Sequence, residues 1–312
     1  MKEFNRAAKL AKRYSEKLKK EKNVVSVVQI GSSLRKEDFT PDSDVDLVIV
    51  YENPVKNCIE HDYVDGFNIQ MLRYGKKQFL KSVKEGIPVN LISLKFGKVL
   101  YDNDFFSELK KKGFQPTEKT IERWVSSAAF NLGDAAMNYS FPTCISEYFK
   151  SLRNAARGFC SILILKEKGI VVDGIRMILD NLDHPNLCEK FRLVIKGKKE
   201  GKELKRIVMH QKIKASGHGK YLLAAEDIAI KALKISMGLN VPKANKLIAQ
   251  LQKKYDIDHY HGFWLNPGNK ELMLHMVLKG DRSGFFRYSL ETGELIKADV
   301  PDRKGGRNGK GN

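Results

Sequence analysis

The stretch that decides the fold is residues 30–50, which read IGSSLRKEDFTPDSDVDLVIV. An apolar run, residues 24–30, leads into it and predicts a buried strand. The strand ends at Gly31, where the missing Cβ lets another backbone or a phosphate group come close. Ser32 and Ser33 follow at a predicted helix start, where hydroxyl and backbone N–H groups form a natural anion site.

Two aspartates open the next predicted strand. Asp44 and Asp46 lie two residues apart, so both carboxylates point to the same face of a strand. Two neighbouring acids repel each other unless a cation lies between them. Because hydroxyl groups and a guanidinium lie nearby, the simplest occupant is Mg²⁺ (or Mn²⁺) that carries a nucleoside triphosphate. The residues predicted to hold this triphosphate are Gly31, Ser32, Ser33, Arg35 and Ser43.

The spacing of these residues resembles a known signature. Gly31-Ser32, eleven intervening residues and then Asp44-Val45-Asp46 resemble the pattern of the DNA polymerase β-like nucleotidyltransferase superfamily. The sequence is most similar to the small prokaryotic (minimal) nucleotidyltransferases, and the resemblance covers the N-terminal part of the chain well and the later helices only loosely. It implies a mixed sheet with helices, in which Asp44 and Asp46 are catalytic and hold the metal ions.

The chain departs from this superfamily at the third carboxylate, which is expected on a neighbouring strand. Residues 60–64 and 67–72 predict a hairpin around Asp65-Gly66, and Gln70 falls where the third acid is expected. An amide oxygen can coordinate Mg²⁺ but cannot take a proton from an attacking hydroxyl. Asp62, on the paired strand, is the alternative third ligand. The sequence leaves open whether Asp62 rescues the site or the chemical step is weakened.

The composition favours a polyanionic partner. The 312 residues include 56 Lys and Arg against 37 Asp and Glu, which gives a formal net charge of +19. Such a charge attracts nucleic acid, although a generally lysine-rich surface is the alternative. A basic stretch is predicted as a loop between helices that either contacts a phosphate backbone or is merely solvated. Its candidate nucleic-acid residues are Lys196, Lys198, Lys199, Lys202 and Arg206.

The cellular location is predicted from cysteine usage and from the N-terminus. The four cysteines lie far apart without metal-ligand spacing, which favours free thiols in a reducing compartment. The N-terminus is charged and amphipathic, and no apolar run approaches the ~20 residues that a bilayer span needs. We therefore expect a cytoplasmic protein with no membrane partner.

The fold class predicted from the whole chain is α+β, in four segments. The helical part is similar to the HEPN-like bundles that accompany such nucleotidyltransferases. The last segment is glycine-rich and basic and cannot bury a core. The segments are a nucleotidyltransferase domain at residues 1–113, a helical bundle at 117–255, a small β-rich segment at 256–300 and a disordered tail at 301–312.

Four local predictions concern the later elements. Residues 87–92 and 98–102 are predicted as the last strands of the N-terminal domain. Residues 173–196 are predicted as one helix. Asp256–His261, with its alternating acids and histidines, is predicted as a loop or strand rather than a metal site.

We expect the protein to transfer a nucleoside monophosphate from a metal-bound triphosphate to an acceptor hydroxyl, with release of pyrophosphate. The net charge favours RNA, such as a tRNA-like 3′ end, as the acceptor. A small molecule and a protein side chain, as for an antitoxin-type enzyme that nucleotidylates a partner, stay open. The rival prediction is a non-catalytic, nucleotidyltransferase-like RNA-binding protein.

Overall fold

The computed structural model describes residues 2–40, 43–56, 58–139, 144–208, 219–266, 269–280 and 282–298. The chain divides into two compact units. Unit 1 comprises Met1–Ala128 and Arg157–Glu189, and unit 2 comprises Ala129–Ala156 and Lys190–Asn312. The sequence-based domain boundaries fall elsewhere and stay predictions about which segments fold independently.

A five-stranded mixed sheet forms the centre of unit 1. Its strand order is β3-β4-β2-β1-β5, with β2 and β4 parallel and every other neighbouring pair antiparallel. The hairpin between β3 and β4 turns at Asp65 and Gly66, which both have positive φ, as its sequence predicts. The strands are β1 Val24–Ile30, β2 Val45–Tyr51, β3 Cys58–Val64, β4 Phe67–Gly75 and β5 Lys98–Asp102.

Helix α1, Lys2–Leu18, covers one face of this sheet. Its apolar stripe, which includes Leu10 and Leu18, packs with Val45, Leu47 and Ile69 in a single buried cluster. These strand residues alternate with residues that point to the opposite face. Asp44 and Asp46 therefore lie on the face that α1 does not cover.

Three short helices complete the N-terminal part of unit 1: α2 Lys76–Lys84, α3 Pro88–Phe96 and α4 Phe105–Lys112. The prediction of a strand at residues 87–92 is wrong, because Pro88 begins α3. Proline fixes φ near the helical value and lacks an N–H that the first turn would leave unpaired anyway. The strand predicted at residues 98–102 is confirmed as β5.

Six longer or later helices follow, and two predictions about them are wrong. The helix predicted at residues 173–196 is interrupted, because α7 ends at Asn181 and Pro185 starts α8. The basic stretch predicted as a loop is part of α8, which runs without a break through its two glycines. The helices are α5 Glu118–Tyr139, α6 Ile145–Lys168, α7 Ile175–Asn181, α8 Pro185–Val208, α9 Gly219–Met237 and α10 Ala244–Leu251.

A four-stranded antiparallel meander, in the order β6-β7-β8-β9, belongs to unit 2. Asp256–His261 leads into and begins β6, so the prediction of a loop or strand there is confirmed. Alternate residues such as Phe263, Leu274 and Phe286 are fully buried. The strands are β6 Ile257–Asn266, β7 Glu271–Leu278, β8 Arg282–Ser289 and β9 Leu295–Ala298.

The observed architecture confirms the predicted α+β class, with a mixed sheet and helices, a helical region and a small C-terminal sheet. No helix in the described part of the chain is both long and apolar enough to span a membrane. The predicted tail at residues 301–312 lies outside the described residues.

Glu226→Gln is expected to reduce the pH dependence of the stability of unit 2. Burial raises the pKa of Glu226 from 4.5 to about 8, although its Oε1 accepts hydrogen bonds from Tyr260 Oη (2.7 Å) and Phe263 N (3.2 Å). The folded chain therefore keeps a proton that the unfolded chain releases, so stability falls as pH rises between these two values. Glutamine keeps an acceptor for Tyr260 without ionising.

The measurement is urea unfolding of both proteins at about pH 5 and about pH 8. The wild-type chain should lose several kcal/mol more than the variant between these conditions. Equal losses in the two proteins would show that Glu226 does not carry this pH dependence.

Candidate functional site

Two carboxylates lie at the start of the central strand of unit 1. Asp46 is the second residue of β2, and Asp44 directly precedes the strand. Both are partly exposed, whereas Val45 and Leu47 between and beside them are fully buried. The predicted pair of acids on one face is therefore present in the structure.

The turn after β1 brings Gly31 against Asp46. Ile30 pairs with Asp46 in the β1–β2 ladder, so the chain leaves β1 directly beside this carboxylate. Gly31 has φ +78°, and a Cβ at this position would overlap Asp46 Oδ2. Glycine adopts this backbone conformation without strain and leaves room for the carboxylate.

We call the turn after β1, together with Asp44 and Asp46 beside it, the corner. Its two serines, Ser32 and Ser33, differ in their surroundings. Ser32 is partly exposed and begins a single 3₁₀ turn, Ser32–Leu34, whose first N–H groups have no carbonyl partner inside the turn. Ser33 is buried, and its hydroxyl donates to Ile30 O (3.3 Å) and accepts from Gln29 Nε2 (3.0 Å). Ser33 therefore offers a phosphate its N–H group, and the prediction that its hydroxyl binds phosphate is wrong.

Ser43 also makes a local contact. Its hydroxyl accepts a hydrogen bond from the N–H group of Thr40 at 2.9 Å and lies 3.2 Å from the Thr40 hydroxyl. Ser43 N donates to Thr40 O at 2.8 Å. These bonds shape the approach to Asp44, so Ser43 supports the loop, and its predicted contact with the triphosphate stays a prediction.

Arg35 is held by two carboxylates rather than presented to a phosphate. Its Nε donates to Asp38 Oδ2 at 2.7 Å, and its Nη1 donates to Asp173 Oδ2 at 2.6 Å. Burial opposes the charge of Arg35, but Asp173 and Asp38 outweigh this effect and raise its pKa. Arg35 therefore has a structural role in these ion pairs, and its predicted contact with the triphosphate stays a prediction.

A buried network extends from this arginine to the segment before α7. Asp173 is 5 % exposed and also contacts Arg157 Nη2 at 3.4 Å, while Asp38 Oδ1 accepts from Ile175 N at 3.2 Å. Sequence reasoning missed Asp173 and Arg157, because no local pattern links them to residues so distant in the chain. This network fixes the turn after Gly31 to the start of α7 within unit 1.

The charges around Asp46 disfavour its ionised form. Burial is the largest cause, followed by the charges of Asp44 and Asp173, and together they raise the pKa of Asp46 to about 7. Arg157 lowers this pKa but does not compensate. A carboxyl group in such a place gains from any cation that comes near it.

The neighbouring strand β4 presents two amides to the acids. Gln70 pairs with Asp46 in the parallel ladder, as expected for the position of the third acid. Asn68, which sequence reasoning missed, donates from Nδ2 to Asp44 Oδ1 at 3.0 Å. An alternation of two residues along β4 places Asn68 and Gln70 on the same face as the acids.

Asp62 lies on the other face of the sheet. It pairs with the buried Ile69, and its Oδ2 accepts a hydrogen bond from Tyr14 Oη of α1 at 2.5 Å. The prediction of Asp62 as a third metal ligand is therefore wrong, since side chains on opposite faces of a strand do not meet.

The donor set suits a cation that keeps part of its hydration shell. Mg²⁺ is commonly bound by one or two carboxylates together with water and substrate phosphates. Asp44, Asp46 and the amide oxygen of Gln70 offer such a set, and burial together with the charges of Asp44 and Asp173 raises the pKa of Asp46. Among the described residues, no group of three or more His, Cys, Asp or Glu side chains is arranged to hold a metal ion.

The predicted nucleic-acid residues lie in unit 2, on α8. Lys196 belongs to the described part of this helix and has interaction partners. The side chains of Lys198, Lys199, Lys202 and Arg206 lie outside the described residues. Their contact with nucleic acid stays a prediction.

Asp173→Asn is expected to destabilise unit 1 by about 3 kcal/mol, because it leaves two partly buried arginines without their shared carboxylate. Asp180→Asn, which removes the exposed partner of Arg176 on α7, is the matched control and should change stability by less than about 1 kcal/mol. Urea unfolding measures both. Similar small changes in the two variants would contradict a stabilising role for Asp173.

Gly31→Ala is expected to destabilise the chain more than Gly66→Ala. Both glycines have positive φ, so alanine costs roughly 1–2 kcal/mol of backbone strain at either position. Gly66 has no atom within 4 Å of an added Cβ, whereas Gly31 has Asp46. Equal unfolding free energies for the two variants would show that the nearby Asp46 adds no cost to a Cβ at position 31.

A family model matches the N-terminal part of the chain. Residues 10–123 match the family model described as nucleotidyltransferase domain. The nucleotidyltransferase-like protein from Exiguobacterium sibiricum 255-15 is 14% identical, with a TM-score of 0.33, over 80% of this chain and 81% of that chain. No curated protein is similar enough in sequence to match. The segment that matches this family model includes Gly31, Asp44 and Asp46.

Proposed function

We propose that unit 1 transfers a nucleoside monophosphate from a nucleoside triphosphate to an acceptor hydroxyl and releases pyrophosphate. The observation that carries the proposal is the close approach of Gly31 to Asp46, with Asp44 on the same face. This corner belongs to the segment that matches a nucleotidyltransferase domain. The reaction forms a bond between the acceptor oxygen and the α-phosphorus and breaks the bond to the β-phosphate oxygen.

The residues of the corner have separate tasks in this proposal. The Ser32 hydroxyl and the N–H groups of Ser32 and Ser33 bind the β- and γ-phosphates. Asp44 and Asp46 hold a divalent cation, which supplies charge neutralisation for the triphosphate and the leaving pyrophosphate. Asn68 orients Asp44 through its 3.0 Å hydrogen bond. The ion pairs of Arg35 keep the turn rigid, so that these groups are positioned before the nucleotide arrives.

Gln70, an amide, stands where the third acid is expected, and this lowers the expected rate. Gln70 offers an oxygen to the cation but cannot accept the proton of the acceptor hydroxyl. Because Asp62 faces α1, it does not supply the missing base. We therefore propose a chemical step that is slower than in relatives with three acids, with the proton leaving to water or to a phosphate oxygen.

RNA is the acceptor that the charge of the chain favours. A net charge of +19 attracts a polyanion strongly, whereas a small-molecule acceptor needs no such field. Modification of a protein partner, as an antitoxin-type enzyme would perform, and RNA binding without catalysis are the competing proposals. The HEPN-like character of the helices and a cytoplasmic location are part of this proposal as well.

The decisive experiment is a labelling assay with each α-³²P-labelled NTP, Mg²⁺ and total RNA. The wild-type chain should transfer label, and Asp44→Asn combined with Asp46→Asn should lower the rate at least about 10²-fold, because the cation loses its protein ligands. Asp62→Asn is the control, since this carboxylate lies on the opposite face, and it should keep the wild-type rate.

The position of the label distinguishes the acceptors, because RNA and protein separate on a denaturing gel. Transfer at the wild-type rate by the double variant would exclude Asp44 and Asp46 as the catalytic pair. Salt-sensitive RNA binding without any label transfer by the wild-type chain would favour the non-catalytic alternative.

A further inference from the structure

The edge strand β3 carries exposed apolar side chains, whereas the other large apolar side chains described in unit 1 are buried or partly buried. Ile59 is 58% exposed and Tyr63 is 74% exposed, and they are the two exposed large apolar side chains among the described residues of this unit. In the described part of unit 1, β3 lies at the end of the sheet, so one side of its backbone has no neighbouring strand. Exposed side chains of this kind on an open edge indicate a binding surface.

These side chains lie on the same face as the acids. Tyr63 pairs with Asn68 and Ile59 pairs with Leu72 across the β3–β4 ladder, with His61 between them opposite Gln70. Paired residues of adjacent strands share a face, and Gln70 in turn pairs with Asp46. The side chains of β3 therefore form a row beside the catalytic corner, on the β4 side of it.

A cavity of about 690 Å³ continues this surface beyond Gln70. It is lined by residues of β3, β4, α2 and the start of α3, which include Ile59, Leu72, Tyr74, Lys81 and Asn90. Its size suits a nucleoside-sized ligand.

One wall of this cavity is backed by a buried polar side chain. Asn90 is fully buried, and its Nδ2 donates to Ser82 Oγ. Because Asn90 has no accessible surface, its amide supports the wall and is not a contact for a ligand.

The in-line geometry of the proposed reaction places the acceptor on the β4 and β3 side of Asp46. The attacking and leaving oxygens of a phosphoryl transfer lie roughly in line through the phosphorus. In the sheet order β3-β4-β2-β1, the corner that binds the leaving pyrophosphate follows β1, on one side of Asp46. The acceptor hydroxyl must therefore approach from the other side, which is that of β4 and β3.

We propose that β3 and the adjoining cavity bind the acceptor as the 3′ end of a single-stranded RNA. Bases pack on Tyr63 and Ile59, and one base enters the cavity. The exposed lysines of α2 accompany the phosphates; they are Lys77, Lys81 and Lys84. This proposal rests on the function proposed above, because the in-line argument requires nucleotidyl transfer.

The test is the affinity for a 5′-fluorescein-labelled oligoadenylate RNA of about 12 nucleotides, measured by fluorescence anisotropy at low salt. Tyr63→Ala combined with Ile59→Ser should weaken binding roughly tenfold or more, because the stacking surface is lost. Both side chains are exposed, so the variant should keep the wild-type fold. Asp62→Asn, on the same strand but on the opposite face, is the matched control and should bind as the wild type does.

A second readout separates this proposal from the function on which it rests. Binding of a non-cleavable α,β-methylene triphosphate should be unchanged in the Tyr63/Ile59 variant and lost in the Asp44/Asp46 variant. Unchanged RNA affinity in the Tyr63/Ile59 variant, or no RNA binding by the wild-type chain, would overturn the acceptor site while label transfer still tests the catalytic pair. Loss of RNA affinity to the same extent in Asp62→Asn would also overturn it.

Discussion

Gly31 closely approaches Asp46 at the corner where β1 ends beside β2. The β1–β2 ladder places Ile30 opposite Asp46, so the chain must turn away within one residue of a carboxylate. Glycine is favoured in this turn, because its φ is positive and a Cβ would overlap Asp46 Oδ2 unless that carboxylate moved. The same turn presents the Ser32 hydroxyl and backbone N–H groups next to two acids. Fold and candidate chemistry therefore meet at one backbone conformation.

The buried ion network maintains this conformation. Arg35 connects Asp38 with Asp173, and Arg157 shares the second of these carboxylates. A rigid turn suits the proposed nucleotidyl transfer, because such a reaction depends on positioning and on charge rather than on a reactive side chain. Asp173 also adds negative charge near Asp46 and helps to raise the pKa of that group. Stability and demand for a cation thus arise from the same residues.

The sequence predicts the local parts of this arrangement well, and it fails where distant segments meet. The strand before Gly31, the spacing to Asp46 and the hairpin at Asp65-Gly66 follow from periodicity and turn chemistry. The role of Arg35 could not be predicted, because its partner Asp173 is close only in the folded chain. The prediction of Asp62 as a metal ligand fails, because the sequence does not show which residues of β3 point to the face of Asp44 and Asp46.

The central claim is that Asp44 and Asp46 hold a divalent cation together with a nucleoside triphosphate. Electron paramagnetic resonance of Mn²⁺ measures this binding directly. The wild-type chain and the Asp46→Asn variant are compared in the presence of a non-cleavable triphosphate analogue. In the presence of nucleotide, the wild-type chain should bind Mn²⁺ and the variant should not. Equal Mn²⁺ binding by both proteins would contradict it.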